Sequence, residues 1–165
     1  MQIRKSHAQD IDAVHALYRR VAATPGGLAR LEDEVTVDYV SGFLSRALKD
    51  GLSLLAVDED KVIGEIHASS PGLFCFSHVW TDLTIAVDPG QQGRGTGRAL
   101  FDAFMAGVHE RDDVLRVELI ARESNQRAIR FYESLGFKQE GRFEARIRNV
   151  DKTFEADVPM AWTRP

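Results

Sequence analysis

The sequence holds a single cysteine, Cys75, among 165 residues, which excludes an intramolecular disulfide framework and a Cys-rich zinc site. It also lacks an excess of positive charge. Lys and Arg number 21 against 25 Asp and Glu, a net charge of −4. A general nucleic-acid binder needs a basic face to neutralise phosphates, so that class of partner is set aside. No apolar run approaches the length that spans a bilayer, and no membrane partner is expected. The segment Met1 to His7 has no apolar core of a signal peptide, which makes the cytoplasm the expected location. The histidines His7, His15, His67, His78 and His109 show no ligand spacing, and no metal is expected. There is no internal repeat and no low-complexity linker.

What remains is an ordinary globular composition, 44% apolar and 28% charged, in a chain long enough to bury a core without staples. The expected organisation is one domain over residues 1–165. Ile3 to Lys5 reads as a short strand. A helical stripe follows from Asp10 to Val21, then Thr24-Pro25-Gly26-Gly27 reads as a loop. Residues 22–35 carry no other assignment. Thr36 is a plausible cap for a second helix to Lys49, with Gly51 as its stop. Leu52 to Val57 and Lys61 to Ala68 read as strands around a polar Asp58-Glu59-Asp60 turn. Val79 to Val87 and Val114 to Ala121 are strands that flank a helix from Gly95 to His109. They form a β-α-β unit, which predicts a parallel pair with a right-handed crossover. A fourth helix spans about Asn125 to Leu135 and ends at Gly136. Lys138 to Arg142 and Thr153 to Trp162 read as two final antiparallel strands. The fold class is α/β in the α+β sense. A mixed central sheet of about seven strands is flanked by four helices, in the order β-α-α-β-β-β-α-β-α-β-β.

The most informative segment is Val87-Asp88-Pro89-Gly90-Gln91-Gln92-Gly93-Arg94-Gly95-Thr96-Gly97-Arg98-Ala99-Leu100, which joins a strand to a helix. A helix start offers unpaired N–H groups and the positive end of the dipole. Glycines let that backbone approach an anion closely. Arg94 and Arg98 can add charge-assisted bonds. No Gly-x-x-x-x-Gly-Lys-Ser/Thr string is present, so this is not a P-loop. The glycines at 93, 95 and 97 match the dinucleotide fingerprint imperfectly. The downstream acids Glu110, Asp112 and Asp113 also lie off the strand end where a ribose would need one.

The spacing Gln92-x-x-Gly95-x-Gly97 closely resembles the acyl-CoA pyrophosphate loop of the Gcn5-related N-acetyltransferase (GNAT) superfamily. About thirty residues on, Asn125-Gln126-Arg127-Ala128-Ile129-Arg130-Phe131-Tyr132-Glu133-Ser134-Leu135-Gly136-Phe137 resembles that family's Asn-x-x-Ala-x-x-x-Tyr-x-x-x-Gly-Phe element. The resemblance covers nearly the whole chain. Arg116-Val117-Glu118-Leu119, Asn125 and the string Gly136 to Gly141 are similar to small bacterial amino-acid N-acetyltransferases and to phosphinothricin-type enzymes. The turn Asn149-Val150-Asp151-Lys152 lacks the glycine that those relatives often carry.

The resemblance implies a GNAT-like sheet and acetyl-CoA as co-substrate. Backbone groups of Ile85, Ala86 and Val87 would meet the pantetheine arm, and Gln92, Gly93, Arg94, Gly95, Thr96, Gly97 and Arg98 would hold the pyrophosphate. The thioester would lie in a V-shaped split between the Val79–Val87 and Val114–Ala121 strands, with a backbone N–H near Val87 stabilising the oxyanion. Asn125, which could equally cap a helix, and Ala128 would contact the cofactor. Tyr132 would protonate the departing thiolate, a role a phenol suits because it stays protonated at neutral pH. Its other reading is a core aromatic. The amine needs a base. Asp82 and Glu118 are the candidates, with Glu65 and His67 behind them, and each acid could instead be solvated or ion-paired.

Cys75 is expected to be a small buried hydrophobe. Phe74, Phe76 and Trp80 could line an acceptor pocket, pack into the core or form a dimer contact. The implied activity is N-acetylation of a small-molecule primary amine, with an amino acid or an analogue favoured. Polyamines, protein N-termini and lysines stay open as acceptors, as does a non-catalytic acyl-CoA-binding module. A homodimer through the final strands and helices is an expectation by analogy.

Overall fold

In the computed structural model, which describes residues 1–165, each change of hydrophobic period marks an element boundary. Strand β1 (Gln2–Lys5) leads into helices α1 (Ile11–Ala22) and α2 (Val37–Asp50). Strands β2 (Gly51–Asp58), β3 (Lys61–Ser69) and β4 (Val79–Val87) follow, then α3 (Thr96–His109), β5 (Arg116–Arg122) and α4 (Gln126–Ser134). The chain ends in β6 (Lys138–Gln139), β7 (Phe143–Arg148) and β8 (Phe154–Thr163). No helix is long and apolar enough to cross a membrane.

Local chemistry explains the boundaries. Thr36 caps α2 by accepting from the Tyr39 N–H at 3.1 Å. Glu59 and Asp60 both take positive φ, 45° and 62°, the conformation a tight hairpin between β2 and β3 requires. Helix α4 ends in a Schellman motif: Phe137 N–H donates to Tyr132 O at 3.1 Å and Gly136 N–H to Glu133 O at 3.0 Å. Gly136 supplies the positive φ of 90° this needs. The motif turns Phe137 back onto Tyr132 and Phe101, with ring centroids 6.1 and 5.6 Å away.

The sheet has eight strands in the order β1-β2-β3-β4-β5-β8-β6, with β7 also paired to β8. The expected mixed sheet of about seven strands is present, with residues 138–148 forming two short strands where one was expected. Gln139 pairs with Met160, but the next partner is Pro159, whose nitrogen carries no hydrogen to continue the ladder. Strand β6 therefore stops, and after Gly141 the chain pairs again as β7. All pairings are antiparallel except β4 with β5, which holds only at Val79–Arg116 and Trp80–Val117. Beyond Trp80 the two strands part.

A bulge accounts for the parting. Asp82 has a positive φ of 57°, and the β3–β4 register shifts between His67 and Ser69. A bulge bends its strand and reverses the alternation of side chains. Accordingly Trp80 packs into the core beneath α3 and α4, and after the bulge Leu83 and Ile85 face that same core. Ala86 falls on the other face, in the core beneath α1 and α2. The first core is built around Phe101, Phe104, Ile129, Tyr132 and Phe137, and the second around Leu17, Tyr18, Val40 and Phe43.

The aromatic segment before β4 also needs correcting. Cys75 is exposed, not a buried hydrophobe. It sits in a single 3₁₀ turn, Phe74–Phe76, outside the sheet, where no face turns toward either core. Phe74 is 93% exposed, whereas Trp80 is buried.

Candidate active site

The split between β4 and β5 lies between two cavities on opposite faces of the sheet. The first, about 500 Å³, is on the α3/α4 face. It brings together Ile85 and Val87 from β4, Gln92, Gly93, Gly95, Gly97 and Arg98 from the loop and first turn of α3, and Asn125, Ala128 and Tyr132 from α4. Ala86 points into the α1/α2 core, Thr96 is buried toward Gly64, and Arg94 is exposed outside the lining. None of these three lines the cavity.

The geometry of this cavity suits an extended phosphorylated ligand. Gly93 and Gly95 have φ of 79° and 86°, and a Cβ built on either would meet nothing within 4 Å. The first hydrogen bond of α3 runs from Ala99 N–H to Gly95 O at 2.9 Å. The N–H groups of Thr96, Gly97 and Arg98 are thus without intrahelical partners at the positive end of the helix dipole. The edge of β4 that faces β5 has no ladder partner past Trp80, so its amides are open to a linear chain of amides. Asn125 caps α4, its carboxamide oxygen accepting from Ala128 N–H at 3.1 Å, and the residue also lines the cavity.

The loop is held from behind by Asp88. Its carboxylate accepts from Gly90 N–H at 3.0 Å and Arg20 Nε at 2.9 Å, and lies 3.2 Å from Lys61 Nζ. Burial alone would push this carboxyl up, but the Gly90, Lys61 and Arg20 contacts hold it below the usual range. The wall opposite α4 comes from Thr24 to Leu28, a segment the sequence reading left as a plain loop, and Arg127 adds a cation that reading passed over. The one signal for this wall was Gly27, where a Cβ would sit 2.5 Å from Val21 O.

Tyr132 is 9% exposed and lines the cavity, and no protein hydrogen bond occupies its hydroxyl. Burial pushes the phenol up to about 12, which keeps it protonated at neutral pH.

The second cavity, about 460 Å³, opens on the α1/α2 face, where those helices do not reach. Asp82, Thr84, Arg116, Glu118, Glu140 and Phe143 line it. Glu118 accepts from Arg116 Nε at 2.6 Å, and Arg116 also forms a two-pronged pair with Glu140. The Glu140 contact chiefly holds the Glu140 carboxyl down and the Arg116 guanidinium up. Asp82 is exposed and makes no ion pair. Phe74, Phe76 and Trp80 line neither cavity.

A family model described as an acetyltransferase (GNAT) domain matches residues 49–139, the stretch that carries β2 through β6 and most of both cavities. The chain belongs to the GNAT acetyltransferase family. A mycothiol acetyltransferase from Nocardiopsis dassonvillei is 40% identical over 98 residues, 58% of this chain and 27% of that protein. The alanine N-acetyltransferase of a ribosomal protein from Escherichia coli is 44% identical over 59 residues, 36% of this chain and 39% of that one. The matches thus cover well under half of either relative. The GNAT fold extends over the whole chain: yncA of Salmonella typhimurium, solved with its cofactor acetyl-CoA, superposes with a TM-score of 0.85 at 18% identity, covering 99% of this chain and 93% of that one.

Proposed function

We propose that the protein is an acetyl-CoA-dependent N-acetyltransferase acting on the primary amine of a small molecule. One observation carries this reading: a glycine-mouthed helix and a free strand edge face Tyr132 in one cavity, and an acid-lined cavity lies across the β4–β5 split. Acetyl-CoA supplies the activated acetyl thioester. The N–H groups at the mouth of α3 and Arg98 hold its diphosphate, the open edge of β4 holds its amide arm, and Tyr132 protonates the sulfur that leaves. Asp82 and Glu118 attract and orient an incoming ammonium.

The charge of the second cavity bears on the acceptor. Its one cation, Arg116, is engaged by Glu118 and Glu140. Nothing there is left to receive an α-carboxylate, which weighs against a free amino acid and toward an amine on a neutral or cationic body. The same reading places the protein in the cytoplasm as a homodimer. The exposed Phe143, Val150 and Phe154 of the final hairpin support that pairing.

The test is thiol release from acetyl-CoA, titrated in the presence of amino acids, polyamines and aminosugars. Amine-dependent release is expected with at least one of them. Tight acetyl-CoA binding with no release on any amine would leave a binding module instead. A second measurement reports on the loop. Asp88→Asn loses the charge that Arg20 and Lys61 grip, and is expected to raise KM for acetyl-CoA about tenfold while kcat at saturation stays near wild type. An unchanged KM would free Asp88 of any part in shaping the loop.

A further inference from the structure

A buried polar cluster lies on β2 and β3 beneath helices α1 and α2, and acetyl transfer as proposed leaves it unused. Glu65 on β3 is 0% exposed. Its carboxylate accepts from the Tyr18 hydroxyl at 2.6 Å and the Ser53 hydroxyl at 2.7 Å, and His67 Nδ1 lies 3.0 Å from Oε2. The Ser6 hydroxyl lies 2.6 Å from that of Ser53 and extends the chain. A buried carboxylate is tolerated when hydrogen bonds satisfy it, and Tyr18, Ser53 and His67 supply them here. With the carboxylate accepting, Nδ1 carries the proton and the lone pair of His67 falls on Nε2. The imidazole stacks on Phe43 at 4.0 Å and 5°, which locks its plane. Nε2 takes no protein hydrogen bond, yet no buried polar atom is left without a partner, so Nε2 has access to solvent.

The place of this nitrogen is informative. His67 lies directly opposite Thr84 on β4, and Thr84 lines the second cavity. Opposed residues have Cβ atoms about 5 Å apart on one face. The contacts of His67 with Tyr18 and Phe43 place it on the α1/α2 face. Glu118 is on that face too, because Val117, Leu119 and Ala121 face the other core. His67, Thr84 and Glu118 therefore share the α1/α2 face; the β4–β5 pairing, continued by one residue, sets Glu118 level with Thr81, and Thr84 and Glu118 meet across the split as walls of the second cavity. The Asp82 bulge interrupts the β3–β4 ladder right beside His67.

We propose that His67, through Nε2, is the base that takes the proton of the acceptor ammonium, and that Glu65 is its positioning residue. This rests on the acetyl-transfer reading. Imidazole is the side chain suited to accept a proton near neutrality, and Glu118 is already engaged by Arg116. An ammonium loses two protons on becoming an amide. The first passes to Nε2 and on to solvent, and the freed nitrogen pair bonds to the thioester carbonyl carbon. The C–S bond breaks with its electron pair on sulfur, which takes the Tyr132 proton. The second proton leaves the nitrogen and restores the phenol, so one amide, one thiol and one solvent proton result. The titratable groups facing His67 are Glu65 on its own strand and Tyr18 from α1, with Tyr39 of α2 one ring beyond. Ser53 from β2 and Thr84 from β4 do not titrate.

The experiment measures kcat/KM against pH for wild type, His67→Gln and Glu65→Gln, using the amine of the panel with the fastest wild-type turnover. Wild type should show an acidic limb. His67→Gln, whose amide can still reach Glu65, should lose about 100-fold near neutrality and lose the limb, with KM for acetyl-CoA unchanged. Glu65→Gln should keep the limb but lower kcat about tenfold with KM for acetyl-CoA unchanged, because the imidazole is then less firmly oriented. A His67→Gln protein that melts earlier but keeps the limb would reduce the cluster to a structural pin and overturn the proposal. A wild-type protein that acetylates no amine would overturn the transfer reading and this inference with it.

Discussion

Replacing Tyr132 by phenylalanine is expected to lower kcat by about 100-fold while KM for acetyl-CoA stays close to wild type. The change removes one oxygen and nothing else. The ring packs against Phe101, Phe131 and Phe137, with centroids 5.8, 5.7 and 6.1 Å away, and phenylalanine keeps those contacts. No protein group bonds the hydroxyl, so its removal orphans no partner and the melting temperature should hold. The acid is also positioned by the chain itself. The Schellman turn ties Tyr132 O to the Phe137 N–H, and Phe137 in turn braces the ring. Burial raises the phenol to about 12, so the folded protein favours the protonated form. The stabilisation that goes with this shift is complete below about pH 10 and is lost as pH rises toward the folded value. Wild-type kcat should therefore show no descending limb from Tyr132 until strongly alkaline pH. A Tyr132→Phe enzyme with unaltered kcat would remove Tyr132 as the acid and return it to the core-aromatic reading.

That residue also shows where sequence reasoning reaches. The Asn125, Tyr132, Gly136 and Phe137 spacing was visible because each has a local cause: a cap, a helical stripe, a positive φ and a fold-back onto the core. The alternation of Phe143, Ala145 and Ile147 with Glu144, Arg146 and Arg148 was equally local, but β7 is exposed along most of its length and no buried face announces it. Long-range features were out of reach. No neighbour of Asp82 in the sequence predicts that it takes a positive φ, yet that bulge opens the split and reverses the side-chain alternation. Glu65 and His67 looked like weak candidates because their partners, Tyr18, Phe43 and Ser53, come from three other elements. The Thr24–Leu28 wall was invisible for the same reason: the loop gains its meaning only when the chain after α1 is brought up to the glycine loop before α3.

Gly95→Val is the companion expectation on the binding side, a rise in KM for acetyl-CoA of about 100-fold with kcat at saturation largely kept. Two effects combine. Gly95 sits at φ 86° and ψ −4°, a conformation in which a β-branched residue is a true outlier. Strain of about 1–3 kcal/mol would lower the melting temperature by a few degrees in a domain of this size. A Cβ there meets no protein atom within 4 Å, so the free protein has room for it. The room is in the first cavity, beside the N–H groups of Thr96, Gly97 and Arg98, where the diphosphate belongs. Losing close approach to one or two charge-assisted donors accounts for the loss of affinity. Gly97→Ala is the control, because Gly97 lacks a positive φ and its added Cβ would find Val87 Cγ2 at an ordinary 3.6 Å. It should keep the wild-type melting temperature and raise KM less. If Gly95→Val lowers the melting temperature but leaves KM unmoved, the glycines serve the turn alone and the diphosphate must bind elsewhere.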